Sequence, residues 1–356
     1  MTGETIIQCA GLGKRYGRAG SPALDNLDLE VPRNTVFGFL GPNGAGKTTT
    51  IRILAGLMSQ SAGEAYVDGH RVGIHGRHRE VIGVLRQHPA YYGWMTAREL
   101  LEFVAALNGM SRVDGRHRAD ELLETVGLAD HANKRIGEYS GGMVQRLGIA
   151  QALVNRPKVL LLDEPVSSLD PIGRRDVLEI IEQLGRETTI FMSTHILADV
   201  ERVCDTVGVI NEGRMIAVER VEDLREAHGS RRLELRFDGT ASARHFAKRA
   251  TERGWRATTE EGGRTVWISP GSGAGEGTAG AGAGAGAGTV GAGSPESRSG
   301  DDFRREVLRL IVEERLDLES LQTRASLEEA FVRLIGADAS KALAGTGEAG
   351  EKEERA

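Results

Sequence analysis

The chain has 356 residues, a formal net charge of −6 at pH 7 and two cysteines. This length is enough for two domains, and the negative charge with scattered Lys and Arg argues against a nucleic-acid partner. The isolated Cys9 and Cys204 suit small core residues of a reduced protein and exclude a disulfide framework or a cysteine metal site.

No apolar run in the sequence approaches the roughly 18 residues that a bilayer-spanning helix needs. The first five residues lack the charged and apolar regions of a signal peptide. We therefore expect a protein of the cytosol, whose association with a membrane comes through another protein.

Two short strands are predicted near the N-terminus, at residues 5–10 and 27–31, with the loop Gly13-Lys14-Arg15-Tyr16-Gly17 between them. An aromatic ring in an exposed loop of this kind is placed to stack on an adenine ring. Loop tyrosines also often cover a local core, so both roles of Tyr16 stay open at this point.

A glycine-rich stretch follows the apolar residues 35–40 and precedes a helix-forming segment with Ile51, Leu54 and Leu57 on one face. This order of strand, glycine-rich turn and helix is the context that a phosphate-binding loop requires. Glycines let backbone N–H groups converge on an anion, and the helix N-terminus adds partial positive charge. The stretch reads Gly41-Pro42-Asn43-Gly44-Ala45-Gly46-Lys47-Thr48. We expect Lys47 to reach the β- and γ-phosphates of a nucleotide and the Thr48 hydroxyl to ligate Mg²⁺.

The next segments predict a strand at 64–69, a strand that ends at Gln87, and helices at 97–108 and 118–127. The apolar stripes of these helices are Leu100, Leu101, Val104 and Leu107 in the first, and Leu122, Leu123 and Val126 in the second.

Three aromatic residues, Tyr91, Tyr92 and Trp94, lie in the loop after Gln87. They either pack under the helix at 97–108 or form an exposed anchor for a partner protein. Both readings stay open from the sequence.

A helix is predicted to begin at Ser140-Gly141-Gly142, because Ser140 is a natural N-cap and Leu147, Ala150 and Val154 continue an apolar face. Taken alone, a Ser-Gly-Gly helix start is most often only a capped turn.

The apolar residues 159–162 predict a central parallel strand that is buried on both faces and ends at Asp163 and Glu164. Acidic residues at this end of a strand lie where open α/β sheets bind ligands. In a protein with a phosphate-binding loop, Asp163 is the expected partner of Mg²⁺ and Glu164 is placed to polarise a water. A further apolar strand, residues 188–194, brings His195 to the same kind of position, where its ring N–H can meet a γ-phosphate.

Together, residues 5 to about 225 resemble the nucleotide-binding subunit of an ATP-binding-cassette (ABC) transporter. Walker A alone fits kinases, helicases or GTPases, whereas a signature between Walker A and Walker B, with a later histidine, is specific to this family. Six signals occur in the family's order: the adenine-stacking Tyr16, the Walker A loop Gly41–Thr48, the Q-loop Gln87, the signature Ser140-Gly141-Gly142 with Gln145, the Walker B pair Asp163-Glu164, and the switch histidine His195.

The signature departs from the commoner family pattern, since it begins with Tyr139 in place of Leu and has Met143 in place of Gln. This form resembles the signature of bacterial exporters with a separate membrane subunit. Residues 166–170 also differ slightly from the commoner Thr-Ser-Gly-Leu-Asp. Neither change removes a group that contacts phosphate or metal.

The resemblance implies an α/β P-loop cassette over residues 1–228, with a mixed sheet and a helical subdomain at about 90–157. It implies a Mg²⁺-dependent ATPase that works as an ATP-sandwich dimer, in which each ATP lies between one P-loop and the other subunit's signature. The implied partner is an integral-membrane permease, with the subunit on the cytoplasmic side of the cell membrane. The implied task is export of a drug, antibiotic or other small molecule.

The resemblance also implies the roles of single residues. The catalytic residues are Lys47, Gln87, Glu164 and His195, and the Mg²⁺ ligands are Thr48, Gln87 and Asp163. The nucleotide contacts are Tyr16, the loop Gly41–Thr48, Thr49 and the signature residues Ser140, Gly141 and Gly142.

Two other classes of protein are considered alongside this one. Soluble ABC ATPases that act on ribosomes or DNA usually carry two cassettes or a long coiled coil inside the cassette, and this sequence has neither. A regulatory module that does not hydrolyse ATP conflicts with the intact Lys47, Asp163, Glu164 and His195.

The sequence pattern changes after residue 228, where we expect a small α+β accessory domain over 229–336. Residues 271–294 are almost entirely Gly and Ala and predict a flexible linker within 271–300, and a disordered tail is expected at 337–356. Three roles of this domain stay open: regulation, support of the dimer, or that of a passive appendage. Its predicted elements are strands at 232–237, 255–259, 264–268 and 316–323, and helices at 241–253, 301–314 and 326–334.

Overall fold

The computed structural model describes residues 4–17, 21–223, 231–260, 262–270 and 295–325. The described residues form two compact units, one that extends to residue 223 and one that lies between residues 231 and 325. No helix in these described ranges is both long enough and apolar enough to cross a membrane.

The first unit contains ten strands. They are β1 (Thr5–Lys14), β2 (Leu24–Pro32), β3 (Val36–Leu40), β4 (Ala62–Val67), β5 (His70–Arg71), β6 (Ile82–Leu85), β7 (Val159–Asp163), β8 (Thr189–Thr194), β9 (Thr206–Asn211) and β10 (Arg214–Arg220).

Six of these strands form one mixed sheet in the order β10-β9-β3-β8-β7-β6. All neighbours in it are parallel except β10, which runs antiparallel to β9. Every residue of β3, β7 and β8 is buried, as expected for parallel strands covered on both faces. The carboxyl ends of these three strands therefore meet at one edge of the sheet.

The strands β2-β1-β4-β5 form a second, antiparallel sheet. Its buried face packs in one hydrophobic cluster with residues of the mixed sheet, including Phe37, Phe39 and Phe191. The rings of Phe37 and Phe191 stack with their centroids 5.5 Å apart. The two rings are neighbours within the mixed sheet, and their burial in the shared cluster helps to hold the two sheets together.

The first unit also contains the α-helices α1 (Lys47–Leu54), α2 (Ala97–Leu107), α3 (Arg112–Thr125), α4 (Gly141–Leu153), α5 (Pro171–Leu184) and α6 (Leu197–Val203). Helices α2, α3 and α4 pack against one another through Leu101, Leu122 and Leu147, which are all buried. Ser140 is the N-cap of α4, as predicted, and its hydroxyl accepts a hydrogen bond from the Met143 N–H.

The structure corrects three details of the predicted helices. Leu57 is 57% exposed, because α1 ends at Leu54, and Leu107 is 70% exposed at the last position of α2. The helix predicted at 118–127 begins earlier, at Arg112, since the Ser111 side chain caps it. Its first turns are polar and give no apolar stripe to detect.

The second unit consists of β11 (Arg231–Phe237), α7 (Thr240–Glu252), β12 (Arg256–Thr259), β13 (Thr265–Ser269), α8 (Pro295–Glu313) and β14 (Leu318–Ala325). Its sheet has the order β12-β13-β11-β14 and is antiparallel throughout. This βαββαβ order is the ferredoxin-like arrangement, an α+β fold. The two helices pack on the sheet through a core of its own, which includes Leu235, Phe237, Phe246, Val266 and Leu310.

Three predictions about the C-terminal part lie outside the described residues. They are the Gly/Ala linker as far as residue 294, the short helix at 326–334 and the tail at 337–356. The prediction that the linker extends to residue 300 is wrong, because α8 already begins at Pro295, before the helix start predicted at 301.

Candidate functional site

The glycine-rich loop connects the buried strand β3 to the start of α1. Gly44 and Gly46 have φ angles of 85° and 111°, in the left-handed region that glycine adopts without strain. A Cβ at Gly46 would also lie 2.7 Å from the backbone oxygen of Ala23. These conformations turn the chain back over the first turn of α1, whose unpaired backbone N–H groups attract an anion.

Lys47 lies under this loop with only 5% of its surface exposed. Its Nζ atom donates hydrogen bonds to the carbonyl oxygens of Gly41 and Pro42, over 2.8 and 3.0 Å. Burial lowers the pKa of Lys47, although the charges of Glu164 and Asp163 act in the opposite direction. The loop thus holds an ammonium group beside the place where a phosphate would bind.

Asp163, the last residue of β7, lies next to the first turn of α1. Its Oδ1 atom accepts hydrogen bonds from the Thr48 hydroxyl, over 3.1 Å, and from the buried Ser193 hydroxyl, over 2.8 Å. An octahedral Mg²⁺ places neighbouring ligand oxygens about 2.9 Å apart. The oxygens of Thr48 and Asp163 therefore have the chemistry and spacing of two adjacent Mg²⁺ ligands.

Glu164 is the residue at which the polar groups of the site meet. Its Oε2 atom accepts a hydrogen bond from Gln87 Nε2 over 3.2 Å, and its Oε1 atom lies 3.2 Å from His195 Nδ1 and 3.6 Å from Lys47 Nζ. Its φ angle is 47°, which is unusual for a residue with a side chain. Its backbone N–H donates to the carbonyl and hydroxyl oxygens of Ser193, and these bonds hold the strained conformation.

The loop that carries His195 is fixed by an ion pair between Arg174 and the buried Asp199. Asp199 is fully buried, and the Arg174 guanidinium lies 2.7 Å from its Oδ1 atom. Burial raises the pKa of Asp199, and Arg174 opposes this shift. The Thr194 hydroxyl accepts a hydrogen bond from the Ile196 N–H, so the chain on both sides of His195 is held in place.

These groups surround a polar cavity of about 490 Å³, a volume suited to a small ligand. Predicted site residues from three segments line this cavity: the glycine-rich loop, the Gln87 segment and the carboxyl ends of β7 and β8. The lining residues are Ala23, Asn43, Gly44, Gly46, Lys47, Thr48, Thr49, Gln87, His88, Glu164, Ser167, Ser168 and His195.

The predicted residues Ser140, Gly141 and Gly142 do not line this cavity. They form the cap and the first turn of α4, where Ser140 and Gly141 are exposed and Gly142 is half-buried. The structure of one chain therefore does not bring the signature to its own phosphate-binding loop.

Tyr16 lies beside α1 with half of its surface exposed. Its hydroxyl is 3.3 Å from the Thr49 hydroxyl and 3.2 Å from the Met58 sulfur. Lys14 lies over the ring, 5.5 Å from its centroid. The ring is thus exposed and held at its hydroxyl end, and Tyr16 is not among the residues that line the cavity.

Sequence reasoning missed Ser193, which bonds both carboxylate-bearing residues of the site. It lies directly opposite Asp163 in the pairing of β7 and β8. The signal in the sequence was a hydroxyl within an apolar strand, two residues before His195. A buried hydroxyl of this kind requires a partner, and the partner is at the site.

Comparison with known proteins shows the family of the chain. Residues 24–167 match the family model described as ABC transporter. The daunorubicin resistance ATP-binding protein DrrA3 of Streptomyces coeruleorubidus is 42% identical over 65% of this chain and 73% of its own length. The chain belongs to the ABC transporter ATP-binding proteins. The bacitracin transport ATP-binding protein BcrA of Bacillus licheniformis is also 42% identical, over 60% of this chain and 69% of its own length.

Solved ABC cassettes confirm the predicted fold. One, a dimer in a post-hydrolysis state with ADP and Pi, is 26% identical, with a TM-score of 0.56 over 61% of this chain and 99% of that one. Another, cbiO1 from Clostridium perfringens, is 29% identical, with a TM-score of 0.58 over 63% of this chain and 92% of that one. As an ABC ATP-binding protein, the chain binds ATP and is an ATPase.

Proposed function

We propose that this ABC ATP-binding subunit drives the export of small bioactive molecules, of the drug and antibiotic class, through a separate membrane permease. The named tasks of its relatives, daunorubicin resistance and bacitracin transport, support this class of cargo. The subunit binds to the cytoplasmic side of the permease and works as a dimer, since a related cassette was solved as a dimer with its hydrolysis products.

The observation that carries the proposal is the position of the Glu164 carboxylate, which meets Lys47, Gln87 and His195 at the edge of the P-loop cavity. In the proposed reaction, Glu164 orients and polarises the attacking water. Lys47 and His195 stabilise negative charge on the transferred phosphoryl group. Gln87 donates to Glu164 and so holds the carboxylate in its working orientation.

A divalent metal fits the same site. Thr48 and Asp163, with Gln87 from the neighbouring loop, would hold Mg²⁺, which neutralises charge on the β- and γ-phosphates when bound. The remaining nucleotide contacts in the proposal are Tyr16 on the adenine, the backbone of residues 41–46 on the phosphates, and Thr49.

In the proposed dimer, two subunits pair head to tail. Ser140, Gly141 and Gly142 of each subunit then bind the γ-phosphate that the other subunit's P-loop holds. The exposure of Ser140 and Gly141 and their absence from the lining of the chain's own cavity support this arrangement. We assign the ATP-binding domain to residues 1–228 and the accessory domain to residues 229–336. A boundary near residue 228 is supported by the described residues, whose two compact units divide between residues 223 and 231.

Transport in the presence of the permease tests the proposed function. The chain is co-expressed with candidate membrane permeases from the same genome, and ATP-dependent efflux of daunorubicin and of other test compounds is measured in inverted vesicles. We expect efflux and permease copurification with the unchanged chain, and no efflux with Lys47→Ala. ATPase activity without a copurifying permease or any efflux would instead place the chain among the soluble ABC ATPases.

A further inference from the structure

Gln145 links the signature helix to the loop of Gln87. It lies in α4, five residues after Ser140, and is 5% exposed. Its Nε2 atom donates a hydrogen bond to the backbone oxygen of Gln87 over 3.1 Å. Its Oε1 atom is buried and has no hydrogen-bond partner within the described ranges.

A buried amide with an unpaired acceptor costs free energy of folding. The one hydrogen bond that Gln145 makes offsets part of this cost at most, and an apolar side chain would avoid it. Folding stability therefore does not explain a glutamine at this position. Its one hydrogen bond within the described ranges, to the backbone oxygen of Gln87, points to a role in placing that loop.

The two ends of this contact belong to different functional segments. Gln87 reaches the Glu164 carboxylate through its side chain and α4 through its backbone oxygen. Helix α4 begins at the signature, with Ser140 as its N-cap. One residue of the Q-loop is thus bonded both to the chain's own ATP site and to the helix that carries the signature.

Close packing makes this link stiff. One turn after Gln145, a Cβ at Gly148 would collide with the side chain of Leu85, the last residue of β6. Further along, a Cβ at Gly83 would collide with the backbone of Ala152. Helix α4 and strand β6 therefore touch at two places one turn apart. A displacement of the Gln87 loop is passed to α4, because a close-packed interface has low compressibility.

We propose that Gln145 is a positioning residue that carries the position of the Gln87 loop to the signature, Ser140-Gly141-Gly142. This inference rests on the proposed function, in which that segment completes the ATP site of a second subunit. Occupation of a subunit's own site then changes the affinity of its signature for the partner's ATP. Such a coupling between two sites is reciprocal.

Two apolar variants remove the hydrogen bond and the unpaired acceptor together. Gln145→Leu keeps a similar volume, and Gln145→Met keeps the length with a flexible side chain, which guards against poor packing. The matched control is Gln151→Leu, on the same helix at a half-buried position. We expect all three variants to melt close to the unchanged protein. In the Gln145 variants, removal of the unpaired Oε1 acceptor offsets the loss of the donor to the Gln87 carbonyl oxygen.

Three measurements on the full chain separate positioning from folding and from nucleotide binding. They are the affinity of the single subunit for a fluorescent ATP analogue, the ATP-driven dimerisation of the Glu164→Gln protein, and the cooperativity of ATP hydrolysis. With either Gln145 variant, nucleotide affinity should stay within about twofold. Dimerisation should weaken by about three- to tenfold, the factor for one hydrogen bond, and the Hill coefficient should fall towards 1. Gln151→Leu should change none of these.

The outcomes distinguish this inference from the proposed function. Unchanged dimerisation and cooperativity in the Gln145 variants, with a normal Glu164→Gln dimer, would overturn the positioning role and leave the proposed function intact. A large loss of melting temperature together with nucleotide affinity would also overturn it, because it would show a structural role. If the Glu164→Gln protein itself stays monomeric in ATP, the dimer and the inference built on it both fail.

Discussion

The Oε1 atom of Glu164 lies 3.2 Å from Nδ1 of His195, and the two residues follow β7 and β8, which are adjacent parallel strands. Lys47 Nζ approaches the same oxygen to 3.6 Å. The two nitrogen atoms hold the carboxylate in one orientation. A group that orients an attacking water needs such a fixed orientation. In the proposed function, this arrangement at the sheet edge holds the Glu164 carboxylate in the direction that the hydrolytic step needs.

Replacing Ser193 tests the support behind this pair. In Ser193→Ala, Asp163 loses the hydrogen bond that the buried hydroxyl donates, and the Glu164 N–H loses the hydroxyl oxygen as an acceptor. We expect a loss of about 1–3 kcal/mol in the free energy of unfolding, measured in urea, and a fall in kcat larger than the change in nucleotide affinity.

A hydroxyl in the same strand gives the matched control. Thr189 accepts a hydrogen bond from the Asn34 N–H, far from the site in the sheet. Thr189→Val should lower stability by a similar amount and leave kcat of the folded protein near that of the unchanged chain. If both variants reduce kcat equally, Ser193 acts only through general stability.

Tyr92 and Trp94 form an exposed aromatic pair after the Q-loop. They are 63% and 70% exposed, and their ring centroids are 5.8 Å apart. Exposed aromatic residues often anchor protein–protein interfaces, and this loop follows a residue that contacts Glu164. Tyr92→Ala and Trp94→Ala should leave melting and ATP affinity near those of the unchanged protein, while permease copurification and transport fall severalfold.

Tyr91, in the same loop, is the contrasting control because it packs against the core. Burial raises its pKa, and its hydroxyl lies close to Gly148 of α4. Tyr91→Ala should destabilise the fold by roughly 3 kcal/mol, as truncation of a buried aromatic residue does. If Tyr92→Ala or Trp94→Ala melts as low as Tyr91→Ala and loses ATP binding, the pair belongs to the core and the docking role is wrong.

The sequence predicted the P-loop, the strand ends and the N-cap of α4, because each depends on neighbouring residues. Leu107 was placed on an apolar stripe by its spacing, yet its surroundings depend on where α2 ends. The three aromatic residues of one loop separate into a packed Tyr91 and an exposed pair, a difference that only tertiary packing decides.

Contacts between segments that are distant in the sequence could not be predicted either. Ser193 meets Asp163 because β7 and β8 are neighbours in a certain register, and periodicity gives neither the order nor the register of strands. The hydrogen bond from Gln145 to Gln87 spans 58 residues for the same reason. The structure brings many of the predicted site residues to one cavity, whereas the connections between them came from the fold.

His78 makes the stability of the cassette depend on pH. It is fully buried, and neither ring nitrogen has a hydrogen-bond partner in the part of the chain that the structure describes. Burial, with smaller effects from Arg79 and His70, lowers its pKa. The unfolded chain therefore binds a proton at higher pH than the folded chain does, so stability falls as the pH drops below about 6.5.

The pH effect is measured by urea unfolding at pH 8 and pH 5.5. We expect the free energy of unfolding to fall from pH 8 to pH 5.5 by a larger amount in the unchanged protein than in His78→Leu. This comparison does not depend on the absolute stability of the variant. His75→Gln, at an exposed position close by, should behave like the unchanged protein. Equal pH dependence of the His78→Leu variant and the unchanged protein would show that other groups control the acid response.

The most direct test of the account is the Glu164→Gln protein in saturating Mg-ATP. The amide keeps the size of the side chain but cannot polarise a water as a carboxylate does, whereas Lys47 still holds the phosphates. We predict ATP affinity within a few-fold of the unchanged protein, turnover at least about 100-fold slower, and a dimer in light scattering. A monomer with bound ATP, or turnover near that of the unchanged protein, would contradict the role given to Glu164.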